Sequence, residues 1–270
     1  MVNAYGLDRR IPADVKLAVR QRDGFGCVVC GKAIFEYEHF DPEFKDARVH
    51  DANGIILLCP EHHSLKTRGL LSRETIARAK QNPAARHTGF SYGVFDVVGC
   101  HITLQLGNIQ FEDTPIVLQV EGDELLSLRP PEETGGPLRV NALLLGGSGE
   151  KVLEIVDNEW RTPVENWDID ITGSTFRIRS SQRKIEFILH VESNGRFAFR
   201  RFNLFHRGIK IELDARHRLT FTTPDGRVSS VQSGSLRNFD IGILFEDGGL
   251  VMGVGPGQLE LRDIRIGPAP

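Results

Sequence analysis

Residues 59 to 67 read CPEHHSLKT, and the adjacent histidines at 62 and 63 decide how the N-terminal third of the chain is read. A helix follows naturally from Pro60, because proline is tolerated in a first helical turn. Neighbouring residues on a helix point about 100° apart, so His62 and His63 cannot serve one centre in the same way. Cys59 and His62 form a C-x2-H pair, and upstream Cys27 and Cys30 form a C-x2-C pair in CVVC. Three thiolates and one imidazole complete a tetrahedral zinc shell. With His62 committed to zinc, His63 projects from another face and needs a separate role.

The cysteine distribution agrees. Cys27, Cys30 and Cys59 cluster, whereas Cys100 stands alone, a pattern that favours a metal over a disulfide framework. Structural zinc in small peptides contributes roughly 10 to 16 kcal/mol of apparent binding energy near neutral pH, enough to dominate the stability of a short segment.

Outward from this cluster, RIPADVKLAVRQRD at 10 to 23 places Ile11, Val15, Ala18 and Val19 at helical spacing. Extended runs are expected at 34 to 40 and 55 to 58. A further helix should begin after Ser72, a suitable N-cap, and stop at Pro83. Beyond residue 90 the pattern changes to short runs such as TFRIRS, KIEFILHV, GIKIELDA, RLTFTT and LELRDIRI, with turn signals at SNG (193), PDG (224) and EDGG (246). This half reads as all-β, and alternation alone leaves a sandwich and a barrel equally open. The expected fold class is therefore α+β, with a small zinc-stabilised domain at 1–88 and a β-rich domain at 89–270.

At 270 residues, 40% apolar and 26% charged, the composition is that of a globular protein. Residues 1–88 carry 14 Lys and Arg against 11 Asp and Glu, leaving 19 against 25 for the remainder, so the N-terminal part is the better phosphate neighbour. No charged-then-apolar leader is visible, and the longest apolar runs are too short to cross a bilayer. A cytoplasmic location without membrane contact is expected.

EYEHFDP then supplies Glu38 and His39, and DANG supplies Asn53, ahead of His63. With C-x2-C, EH, N, LLC-x2-H and H in this order, the segment from about Arg10 to Leu70 resembles the zinc-bearing subgroup of the HNH (His-Asn-His) endonuclease family, which builds a ββα-metal site. The resemblance implies that His39 is the general base, that Asn53 holds the hairpin loop and orients His39, and that His63 ligates a catalytic divalent ion. Glu38 falls where family members often place a further metal ligand. Asn53 lies six positions before Cys59, one more than the family's usual spacing.

Phosphodiester hydrolysis needs an activated water and a cation for accumulating negative charge. A neutral imidazole suits the first task, and Mg2+ or Mn2+, with Ni2+ or Zn2+ as alternatives, suits the second. The partner implied is DNA, with Arg20, Arg22, Lys66 and Arg68 as candidate phosphate contacts. FAFRRFNLFHR at 197 to 207 interleaves aromatics and arginines, which could stack on and neutralise single-stranded nucleic acid, but reads better as a strand or loop with Phe packed inside and Arg outside. The acidic β-rich half suits recognition of a small molecule or protein partner, or assembly into a homo-oligomer, as in a host-defence nuclease switched by a signal. Cys100, His101 and His206 receive no partner. The alternative is a non-catalytic, zinc-stabilised nucleic-acid or protein binding module whose β domain carries the main function.

Overall fold

The computed structural model describes residues 2–95, 97, 103–134, 136–147, 149–192 and 196–268. Cys100, His101 and the SNG turn at 193 lie outside them. The chain forms two compact units. One holds the chain up to Gly93 together with Arg161–Ile171, and the other holds Val94–Trp160 and the chain from Thr172 onward.

The first unit begins with α1 (Ala13–Asp23), entered at Pro12 and closed by Gly24, whose left-handed φ of 73° lets its N–H reach Arg20 O. The hairpin strands β1 (Glu36–His39) and β2 (Ile55–Leu58) pair antiparallel with His39 opposite Ile55, and a 3-10 turn at Ala52–Gly54 precedes β2. Helix α2 (Pro60–Thr67) follows directly. Helix α3 (Arg73–Gln81) is capped as expected, Ser72 Oγ accepting the Thr75 N–H at 3.1 Å. Pro83 does end the helical run, but it also starts a short α4 (Ala84–Thr88) that has no periodic signal of its own.

Strand β2, sequence IILL, is buried on both faces. Because strand side chains alternate, Ile55 and Leu57 pack with Val19 of α1, while Ile56 and Leu58 pack with Cys27, Cys59 and Ile76 of α3. Full burial of each such side chain is worth about 1.5–3 kcal/mol. Asp23, fully buried at the end of α1, accepts the Leu57 N–H at 3.0 Å and ties helix to strand. The return segment 161–171 is held here too: Gln21 Nε2 donates to Trp167 O at 2.8 Å, and Val164 N–H donates to Gly89 O at 3.1 Å. A boundary placed at residue 88 from the sequence leaves this return out.

The chain leaves the first unit through β3 (Phe90–Val94) and continues as β4 (Thr103–Leu106), β5 (Asn108–Glu112), β6 (Ile116–Val120), β7 (Asp123–Arg129), β8 (Arg139–Leu145) and β9 (Lys151–Val156). Strands β10 (Glu159–Pro163) and β11 (Asp168–Thr172) carry the chain into and out of the return segment. Next come β12 (Thr175–Ser181), β13 (Lys184–Glu192), β14 (Arg196–His206), β15 (Ile209–Leu213) and β16 (Leu219–Thr222). The last four are β17 (Arg227–Arg237), β18 (Ile241–Glu246), β19 (Gly249–Val254) and β20 (Gln258–Pro268).

This second unit is β-rich, as expected. One sheet runs β19-β18-β6-β7-β8-β9. In the other, β14 is flanked along one edge by β15 and, further along, by β4, which pairs parallel with its Arg196–Phe199, and β17 is flanked in the same way by β16 and β5. The EDGG signal becomes a two-residue turn between β18 and β19, Asp247 and Gly248 at φ 50° and 72°.

The FAFRRFNLFHR run is strand β14. Phe197, Phe199, Phe202 and Leu204 are buried, with Arg200 and Arg201 half-buried between them. A β-bulge against Ile188 and Leu189 admits Arg200 as the extra residue and shifts the inward parity from odd to even positions. Among the described residues no helix is long and apolar enough to cross a membrane.

Candidate metal centre and hydrolytic cleft

Cys27, Cys30, Cys59 and His62 bring one ligand atom each to within 4.8 Å of one another. Cys30 and Cys59 Sγ are 3.8 Å apart, Cys27 Sγ and His62 Nδ1 3.6 Å, and Cys59 Sγ and His62 Nδ1 3.1 Å. Sulfurs each about 2.3 Å from a tetrahedral zinc stand about 3.8 Å apart, so the set can hold a metal ion such as zinc. The knuckle is preorganised by its backbone: Gly31 N–H donates to Cys27 O at 2.7 Å, and Cys27 N–H to Lys32 O at 2.8 Å. Gly31 adopts φ 82°, a conformation glycine tolerates best. A hydrogen bond from Cys30 holds the Cys27 thiol down at about 5, and the same contact pushes Cys30 well above the usual thiol range. A divalent cation would stabilise the thiolate form of all three cysteines.

The adjacent histidines diverge as the helix requires. While His62 faces the cysteines, His63 faces β1, its Nε2 lying 3.0 Å from Glu38 Oε2 and its Nδ1 3.4 Å from Glu36 Oε2. Glu36 and Glu38 share a strand face by the two-residue period, which is the signal that could have added Glu36 to the candidates. The 3.0 Å separation of His63 Nε2 and Glu38 Oε2 is that of a hydrogen-bonded pair. Lys66, one turn on, donates to Glu38 Oε1 at 2.6 Å. It is a partner of the cluster rather than a free phosphate contact.

His39 is 8% exposed and ends β1 beside this pair. Its partner is His50, Nε2 to Nδ1 at 3.1 Å, and burial together with His50 lowers its pKa below the ordinary value. Asn53 does not contact it. Asn53 is exposed and its side chain makes no hydrogen bond among the described residues; its backbone N–H donates to Asp51 Oδ1 and its carbonyl accepts from Lys80. The hairpin loop is held by Gly54 instead, whose carbonyl accepts from both Phe40 N–H (2.8 Å) and Asp41 N–H (3.0 Å). The backbone bracing of the loop thus sits at Gly54, one position after Asn53, to which the resemblance gave it.

Glu36, Glu38, His39, His63 and Lys66 line one cavity of about 450 Å3, together with Arg9 and Lys45. Arg9 lies over the Phe44 ring at 5.2 Å, and Phe44 packs edge-on against His39 at 5.3 Å. Arg9, Lys45 and His50 were missed from sequence, since loops carry no period.

Two expected phosphate contacts are committed inside the unit. Arg20, 8% exposed, makes a bidentate pair with Asp168 (2.8 and 3.0 Å) and donates to Tyr37 Oη at 2.7 Å. Burial opposes its charge, but Asp168 more than offsets this and the pKa is raised. Arg22 pairs with Asp23 at 2.7 Å and donates to the Ala52 and Ile55 carbonyls. Arg68, at the end of α2, is exposed and has no ion pair among the described residues. In the β-rich unit, His206 Nε2 meets Asp123 Oδ2 at 2.8 Å.

No family model, curated protein or solved structure matches this chain.

Proposed function

We propose that the chain is a metal-dependent endonuclease of the HNH type that hydrolyses phosphodiester bonds in DNA. The observation that carries this reading is the meeting of Glu38 and His63 at 3.0 Å on the cavity that His39 also lines. Glu38 and His63 would hold Mg2+ or Mn2+, with Ni2+ or Zn2+ as alternatives, and such a cation supplies charge for the pentacovalent phosphate and its leaving oxygen. His39 accepts a proton from water whose oxygen attacks phosphorus, and its depressed pKa keeps it neutral for the task. Arg9 and Arg68 offer phosphate contacts that set orientation without reading sequence. The β-rich unit, acidic overall, is assigned to recognition of a ligand or protein partner rather than to broad DNA contact.

A second reading has its own observation. Lys66 already neutralises Glu38, and a polar cluster satisfied by its own ammonium needs no cation, as in a zinc-stabilised binding module. Mn2+ titration of the zinc-loaded protein with plasmid cleavage separates the two. The nuclease reading expects one Mn2+ beyond zinc and nicked product, both lost in His63→Ala. Absence of both in the wild type supports the binding module.

A further inference from the structure

The hydrolytic reading needs a lone pair on His39 facing its water, and the resemblance gave the task of orienting that ring to Asn53. The exposed Asn53 side chain does not perform it. A neutral imidazole carries one N–H and one lone pair, and only one ring can donate in a hydrogen bond between two of them. His39 Nε2 and His50 Nδ1 are 3.1 Å apart, with ring centroids at 5.2 Å and planes at 51°. Among the described residues His39 Nδ1 has no hydrogen-bond partner, and it is not among the buried unpaired atoms. If His50 donated, the His39 proton would sit on Nδ1 and no lone pair would remain for water.

We propose that His50 is a positioning residue, accepting the His39 Nε2–H at its own Nδ1 and so holding the His39 ring with the Nδ1 lone pair open to the cavity. The platform is rigid. The loop before His50 is anchored by Asn3, whose Nδ2 donates to Phe44 O at 2.6 Å and Ala47 O at 2.7 Å, and Phe44 itself packs edge-on against the His39 ring. A reactive ring locked by packing on one side and a hydrogen bond on the other is what catalytic placement requires. The proposal rests on the hydrolytic reading, but the hydrogen bond exists independently of it.

Two measurements test it. Nitrogen-15 NMR of the wild-type zinc protein should show His39 as the Nε2–H tautomer, and an Nδ1–H tautomer overturns the proposal whether or not the protein cuts DNA. In plasmid cleavage, His50→Phe keeps an aromatic ring without an acceptor, and His50→Asn restores an acceptor. His50→Phe should lower kcat by about 10- to 100-fold with KM changed less than about twofold, and His50→Asn should recover part of the loss. Unchanged kcat in His50→Phe, or equal losses in both variants, overturns it. An inert wild type contradicts the nuclease reading instead, and the tautomer then decides the His50 assignment alone.

Discussion

Glu38 Oε2 on β1 and His63 Nε2 on α2 stand 3.0 Å apart across 25 residues of sequence. Their meeting is a consequence of the cysteine cluster. Cys59 caps α2 and His62 sits in its first turn, so drawing both toward Cys27 and Cys30 fixes the rotation of the helix. His63, about 100° further round, then faces the strand that carries Glu38.

Loss of the structural metal should therefore remove the cleft as well as the fold of the first unit. Cys27→Ser is expected to lose one zinc per chain by mass spectrometry of the native protein and to open residues 2–93 to proteolysis. With about 10–16 kcal/mol of apparent binding energy at stake in comparable zinc peptides, this loss is of the size of the whole stability of a typical domain. Unchanged zinc content would contradict the ligand set.

Position 54, rather than 53, should be sensitive to substitution. A Cβ on Gly54 would lie 2.5 Å from Asp41 O, so Gly54→Ala must displace the loop, at a cost of about 1–3 kcal/mol. Asn53→Ala should stay within about 0.5 kcal/mol and keep cleavage activity. Urea unfolding of both variants checks this, and reversed sensitivities would restore to Asn53 the role implied by the resemblance.

Arg20 should behave as an internal strut. Removing one member of a buried ion pair costs about 3–5 kcal/mol, so Arg20→Ala should unfold at markedly lower urea. The salt dependence of DNA binding should keep its slope. A slope reduced by about one would instead place Arg20 on a phosphate.

The pH profile follows from His39. Its pKa is lowered by burial first and by His50 second, with Glu38 opposing; a cation on Glu38 and His63 would lower it further. The neutral base is therefore present throughout the range above the ordinary value of 6.5, and the acid limb of kcat/KM should have its midpoint below 6.5. The stability sign agrees: the unfolded histidine takes up its proton first, so the contribution of neutral His39 is full above 6.5 and is lost as pH falls through the folded value. A midpoint above 6.5 in the rate profile contradicts this placement.

The metal cluster was legible because C-x2-C and C-x2-H are spacings that chain geometry imposes on ligands of one ion. The helices α1, α2 and α3 were legible from their period and caps, and β14 from alternating Phe and Arg. Arg9 and Lys45, which line the cleft, and His50, which meets His39, were not, because they come from irregular chain that has no period to read. Arg20 misled for a related reason. Its partner Asp168 lies 148 residues away, and no local pattern announces that segment 161–171 returns to the first unit. Asn53 misled because its dipeptide with Gly54 marks a turn without saying which residue braces it.

The central claim is that His39 activates water beside a cation held by Glu38 and His63. Plasmid cleavage by wild type and His39→Ala, prepared identically with zinc bound and assayed in Mg2+, Mn2+ and Ni2+, tests it most directly. The expected result is metal-dependent nicking by the wild type and a rate at least about 100-fold lower for His39→Ala, with zinc content and unfolding midpoint retained. Cleavage by His39→Ala at the wild-type rate, or a wild type inert with every one of these ions, would contradict it.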